Sequence, residues 1–274
     1  MAVSMEDIKK LRTMTGAGLG DCKKALAESN GNLEEAIEII RKKGQAVAAK
    51  RQDRSASEGC VLSAVKPGFG AIVALKCETD FVARNSSFVQ LTKDILEVAM
   101  NNNAKTTEEL MGLMIGDRTV AEKITDEIGK TGEKMELGAY ECIEAPTVAA
   151  YDHLGNKLAT IVGLTAEGVD AAVGREVAMQ VAAMNPIAAN REDVPAEIVE
   201  QELKIGREKA REEGKPEAIL DKIAEGRLGK FYKESVLMEQ EYHRDAKLTV
   251  AQYLDSEVKG MKVTSFKRVN LNAD

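Results

Sequence analysis

Residues 59–88 read GCVLSAVKPGFGAIVALKCETDFVARNSSF, and their interpretation decides the fold. GCVLSAV and AIVALKC are short apolar runs rich in strand-forming residues. KPGFG between them carries the Pro-Gly pair of a tight turn, so the segment reads as a β-hairpin. A helix is expected from about Asn85 or Ser86, because Phe88, Leu91, Ile95 and Ala99 recur on one face. Between strand and helix stands ETDF, an acid and a large ring on a corner where a chain leaving a sheet is usually polar. Aromatics make up 4% of the chain and Trp is absent, so a ring here is conspicuous. Two roles stay open for Phe81. It either closes the strand end as a core residue or waits for a partner, whose cover would be worth about 1.5–3 kcal/mol.

The same pattern returns downstream. KMELGAYECI, TVAAY and LATIVGL are strand-like. Val173, Val177, Val181 and Met184 then mark the apolar side of a helix that Asn185-Pro186 ends. AIVAL (71–75) resembles TIVGL (160–164), which suggests two related hairpin-and-helix units. Where the first unit has ETDFVA, the second has TAEGVDAA, with no aromatic. Such a unit can therefore be built without a ring at that corner. Between the units, short helices are expected at 107–114 and 119–128, each with a Thr three residues before a Glu.

Upstream, the first 44 residues read as three short helices. Ser4 with Asp7 and Asn32 with Glu35 resemble capping pairs. Leu33, Ala36, Ile37 and Ile40 form an amphipathic stripe, and Gly44 reads as a stop. QAVAAKRQDRSASE (45–58) reads as a linker. Near the other end, Pro195 suits the start of AEIVEQELKIGREKAREE. Gly214-Lys215-Pro216 breaks it, and EAILDKIAEGRLGKFYKESVLME returns. Ile198, Leu203, Leu220, Ile223 and Leu228 suggest the seam of an antiparallel helical hairpin. Thr249 with Gln252 opens a last short helix, and KVTSFKRVN closes the chain as a strand. The expected class is α+β. The expected domains are 1–55, 56–145, and 146–274 with the helical hairpin at 195–240.

The totals restrict function. The chain has 274 residues, a net charge of −7 and 30% charged residues. Residues 1–55 hold 11 Lys/Arg against 8 Asp/Glu, a basic head on an acidic remainder. Nucleic acid is not expected as a partner, since phosphate binding needs clustered cations. An acidic protein surface would suit the head. The four cysteines, Cys22, Cys60, Cys77 and Cys142, form no C-x-x-C motif, the usage of a reducing compartment. MAVSMEDIKK lacks the apolar core of a secretion signal, and no apolar run approaches the ~18–20 residues that span a bilayer. A cytoplasmic protein without membrane contact is expected. TGAGLGDCKKAL (15–26) is a poor phosphate loop, because its glycines follow a helix and Asp21 would repel an anion. His153 and His243 have no second ligand at helical spacing, so neither metal nor cofactor is expected. No Cys or Ser stands in a nucleophile signature with either histidine. An enzyme is not expected, and a plain binding scaffold remains an alternative.

Several blocks together carry a resemblance to a known family. LRTMTGAGLGDCKKALAESNGNLEEAIEIIRKKG, CETDFVARN, GREVAMQVAAMNP, DVPAEIVEQE, EGRLGKFYKE and LTVAQYL are similar to the translation elongation factor Ts family. Its members are guanine-nucleotide exchange factors for elongation factor Tu. The resemblance implies a ubiquitin-associated-like N-terminal head and, in part of the family, a coiled-coil hairpin. It implies that Thr79, Asp80, Phe81 and Val82 intrude near the partner's magnesium site, with Phe81 as a wedge. It also implies partner contacts at Arg12, Leu19 and Lys23 of the head. Gly132 and Glu133 match an Ile-Gly-Glu turn, with Thr131 in place of the Ile, and Tyr151 and His153 match a Tyr-x-His hairpin tip.

Overall fold

The computed structural model describes residues 3–272. Three helices come first: α1 (Met5–Thr15), α2 (Leu19–Glu28) and α3 (Leu33–Lys50). The Ser4 hydroxyl accepts the Asp7 N–H, and the Asn32 carboxamide oxygen accepts those of Glu34 and Glu35, so both caps form. Gly16 takes a left-handed φ of 69°, which ends α1 where a side chain would be strained. Ile8, Leu11, Cys22, Ala25, Leu26 and Ala36 form a small buried core. The glycines of TGAGLG thus serve a helix-to-helix turn.

Gly44 does not stop its helix. α3 runs on to Lys50, through the first part of the expected linker. The reason lies in a later helix, α7 (Val120–Thr131). A Cβ on Gly129 of that helix would come within 2.8 Å of the Gly44 Cα. Two glycines let two helix backbones approach, and the residue that reads as a stop is a packing site.

The strands β1 (Glu58–Lys66) and β2 (Phe69–Cys77) form the expected hairpin. Gly68 adopts φ 82°, the positive value a Pro-Gly turn asks of its second corner. The next elements are α4 (Asp80–Ala83), α5 (Ser86–Asn102), α6 (Thr107–Gly112), β3 (Met114–Ile115), β4 (Arg118–Thr119), α7 and β5 (Met135–Glu144). The corner ETDF is therefore not simply extended chain, because a single helical turn precedes α5. Of the two short helices, α6 stops early, and a two-residue ladder of β3 with β4 separates it from α7. Thr119 and Glu122 complete a reciprocal capping box.

The second pattern comprises β6 (Thr147–Asp152), β7 (Leu158–Leu164) and α8 (Ala171–Met184). Then come α9 (Ala196–Glu212), α10 (Leu220–Ser235), β8 (Glu241–Tyr242), β9 (Asp245–Thr249), α11 (Val250–Glu257) and β10 (Val263–Asn270). The two principal sheets have the orders β1-β2-β5 and β10-β7-β6. AIVAL and TIVGL thus occupy the same place, the central strand of a three-stranded sheet. A central strand covered on both faces reads as a continuous apolar run, which is why the two match. The class is α+β.

The chain divides into two compact units. One comprises the chain up to Leu62, Val73–Tyr140 and the end from Leu271. The other comprises Ser63–Ile72 and Glu141–Asn270. In the second, α8 packs on β6 and β7, with Val162, Leu164, Val173, Val177, Val181, Leu237 and Leu254 in its core. Met184 is half exposed, so the apolar side of α8 ends at Val181. α9 and α10 pack antiparallel, with Arg207 bonded to Asp221 and Arg211 to Glu217 toward the connecting loop. Their buried seam is made of Gly206, Ala210, Leu220 and Ala224. Ile198, Leu203, Ile223 and Leu228 are only partly covered. Of the expected seam only Leu220 is buried, and small residues supply the rest because the helices approach closely, a Cβ on Gly206 falling 3.1 Å from that of Ala224.

Candidate functional site

Phe81 is 84% exposed. That removes the core reading for the ring, and its turn explains how. Thr79 caps α4 from an extended conformation, and its hydroxyl oxygen accepts the Val82 N–H at 3.4 Å. The Ala83 N–H donates to the Thr79 carbonyl and the Arg84 N–H to that of Asp80, both at 3.1 Å. Ala83 is the buried residue of the turn, which directs Phe81 outward. Asp80 pairs with Arg84 at 3.3 Å, and both are substantially exposed. Val82 is half-buried beside the ring.

The strand below holds the turn. The Cys77 thiol donates to the Thr79 carbonyl at 3.3 Å. Burial, and after it the Glu133 carboxylate, pushes the Cys77 thiol up to about 12. This cysteine is a protonated structural donor at neutral pH, not a nucleophile.

The Gly132 turn meets the same place. Gly132 ends α7 at φ 73°, its N–H bonded to Ile128, with open space where a Cβ would stand. Thr131 accepts the Glu133 N–H at 3.3 Å. The Glu133 carboxylate then accepts the Thr79 N–H at 3.1 Å and the Thr79 hydroxyl at 2.6 Å. The turn after α7 and the turn that carries Phe81 are thereby joined. Sequence reading assigned Glu133 no role in the chain's own structure, since it lies 54 residues from Thr79.

Arg12, Leu19 and Lys23 are exposed on the three-helix head. Met5 and Met14 are exposed there too, and sequence reading passed over both. A cleft of about 410 Å³ beside the head is lined by Met14, Asp21, Arg41, Lys43, Arg118 and Glu127, among others. Its charges pair with one another, as Lys43 with Asp21 and Arg118 with Asp126.

In the second unit, His153 occupies the β6–β7 tip, where its N–H donates to the Leu158 carbonyl at 2.9 Å. Its Nδ1 shares a hydrogen bond of 2.9 Å with the Tyr151 hydroxyl, and the Arg175 guanidinium lies 5.4 Å from the Tyr151 ring centre. Asp152 accepts both the N–H and the hydroxyl of Ser63, which anchors the base of the tip. Leu154, the next residue, is 91% exposed. Sequence reading missed it, although a Leu inside the turn HLGN is as anomalous as a Phe after a strand. The matching corner of this unit, residues 165–170, forms no helical turn. There Ala166 and Val169 pack against the core.

Among the described residues, no group of three or more His, Cys, Asp or Glu could hold a metal ion. Among those residues, too, no helix is long and apolar enough to cross a membrane. The arrangement can present apolar and charged side chains to a partner.

A family model described as Elongation factor TS matches residues 78–273. A protein named Elongation factor Ts from Porphyromonas gingivalis is 58% identical over 275 residues, covering 100% of both chains. One of the same name from Bacteroides fragilis is 44% identical over 331 residues, again covering 100% of both. Another, from Christiangramia forsetii, is 44% identical over 273 residues, or 98% of each.

Proposed function

The chain belongs to the elongation factor Ts family of translation elongation factors, and on that premise we propose that it is a guanine-nucleotide exchange factor for elongation factor Tu. It binds the GDP form, disturbs the partner's magnesium and phosphate site, and speeds GDP release so that GTP reloads the site. It does so by binding alone, without catalytic residues of its own.

The observation that carries this reading is the outward Phe81 on a single braced helical turn. A ring left in water on a rigid support is a ready wedge. Burying it in a partner supplies about 1.5–3 kcal/mol, the size of a binding hot spot. That energy can favour a distorted conformation of the GTPase that holds nucleotide poorly. Asp80 approaches the magnesium surroundings, where a second carboxylate competes for the ion or its ligands. Thr79 and Val82 frame the pair. Arg12, Leu19 and Lys23 of the head, the Gly132 turn and the His153 tip supply further contacts. Linkage makes the effect reciprocal, so the ternary complex is transient: whatever factor weakens GDP binding weakens this chain's binding equally.

The same premise supports reading the three-helix head as ubiquitin-associated-like and the α9–α10 pair as a short antiparallel coiled coil. It also supports a division of labour among residues 1–55, 56–145 and 146–274, and work in the cytoplasm. The test is stopped-flow release of fluorescent GDP from elongation factor Tu. The full chain is expected to accelerate release at catalytic amounts. Complex formation with unchanged release would instead make the chain a tethering scaffold.

A further inference from the structure

We propose that Glu133 is a positioning residue for Phe81, acting through a carboxylate clamp on Thr79, a role that rests on the exchange reading above. An isolated helical turn is unfavourable, because ordering its residues costs more than its few hydrogen bonds return. α4 has four residues and is closed by three backbone hydrogen bonds, from the N–H groups of Ala83, Arg84 and Asn85. Something outside the turn must hold it, and Glu133 meets it at its N-cap, Thr79.

The chemistry of the clamp is specific. The Thr79 hydroxyl oxygen must accept the Val82 N–H to cap the turn, so its proton has to point elsewhere. Glu133 Oε1 takes that proton at 2.6 Å, which aims the oxygen lone pair at Val82. Glu133 Oε2 takes the Thr79 N–H at 3.1 Å, a backbone donor that precedes the helical hydrogen bonds. Both are charge-assisted and stronger than neutral pairs. The lacing is reciprocal. Glu78 accepts the Lys134 N–H at 2.7 Å and pairs with Arg51 at 3.5 Å. Residues 78–79 and 133–134 therefore exchange carboxylates for amides, which fixes the Phe81 turn against the Gly132 turn. Phe81 then reaches a partner in one pose rather than as a flexible corner, and less ordering remains to be done on binding. Glu133 itself is spent on Thr79, so its contribution passes through Phe81.

The test combines two readouts on the full chain. The first is amide hydrogen exchange at Ala83 and Arg84. Glu133→Ala is expected to speed it by roughly tenfold or more, with α5 unchanged. Glu133→Gln, whose amide keeps one acceptor, should fall between. Unchanged protection at α4 would overturn the clamp. The second readout is the maximal rate of GDP release from elongation factor Tu at saturating chain. Glu133→Ala is expected to lower it roughly tenfold, yet to lower it no further in a Phe81→Ala background. A loosened turn with full exchange activity, or an equal loss in both backgrounds, would overturn the positioning role. If the wild-type chain fails to speed GDP release, the exchange reading falls and this role with it, while amide exchange still reports independently whether the clamp exists.

Discussion

Phe81 and Cys77 sit four residues apart and divide the work of this corner. The ring faces out, and the thiol below it holds the Thr79 carbonyl. Cys77 has a pH consequence whose sign follows from its shift. The folded value is raised from 9.0 to about 12, so folding favours the protonated thiol. Its contribution to stability is fully present below the unfolded value and is lost as pH climbs through that window. Urea midpoints measured at about pH 8 and about pH 10 should therefore fall, and the fall should be shallower in Cys77→Ala. Equal slopes in both proteins would remove Cys77 from this role. At this scale the sequence was legible in part. ETDF stood out because a ring followed an acid on a corner. Its exposure could not be read, because the support comes from Glu133, far along the chain. Leu154 carries the same kind of signal, an apolar side chain inside a polar turn.

Among the elements, legibility follows period and length. β2 and β7 were readable because central strands carry continuous apolar runs. The helices α5 and α8 were readable because their buried faces repeat over more than two turns. α4 has too few residues to show a period. Gly44 misled because a packing glycine and a stopping glycine are the same letter, and only the partner helix distinguishes them. The packing reading has a direct test. Gly129→Val places a Cβ 2.8 Å from the Gly44 backbone, so α3 and α7 must separate. The expected loss is about 1–3 kcal/mol in urea unfolding. Gly226→Ala on α10, where a Cβ meets nothing within 4 Å, is expected to stabilise by roughly 0.5–1 kcal/mol. A neutral Gly129→Val would show that the glycine pair is not a close contact.

For the whole molecule, the repeated plan isolates what each half adds. Both halves run from a hairpin through a helix to a third strand that pairs with the hairpin's second strand. After the central strand, the second half tucks Ala166 and Val169 against its core, whereas the first inserts a capped turn and turns Phe81 outward. The second half completes the plan without a ring at that corner, so the plan itself does not require Phe81. The basic head and acidic remainder were visible in composition, but charge alone could not name a partner. The most direct measurement is stopped-flow GDP release from elongation factor Tu with Phe81→Ala at saturating concentration. Because the ring is 84% exposed, the variant should keep the thermal stability of the wild type. It is expected to bind the GTPase and to lose most of the acceleration, roughly tenfold or more. Full acceleration by a folded Phe81→Ala chain would contradict the wedge.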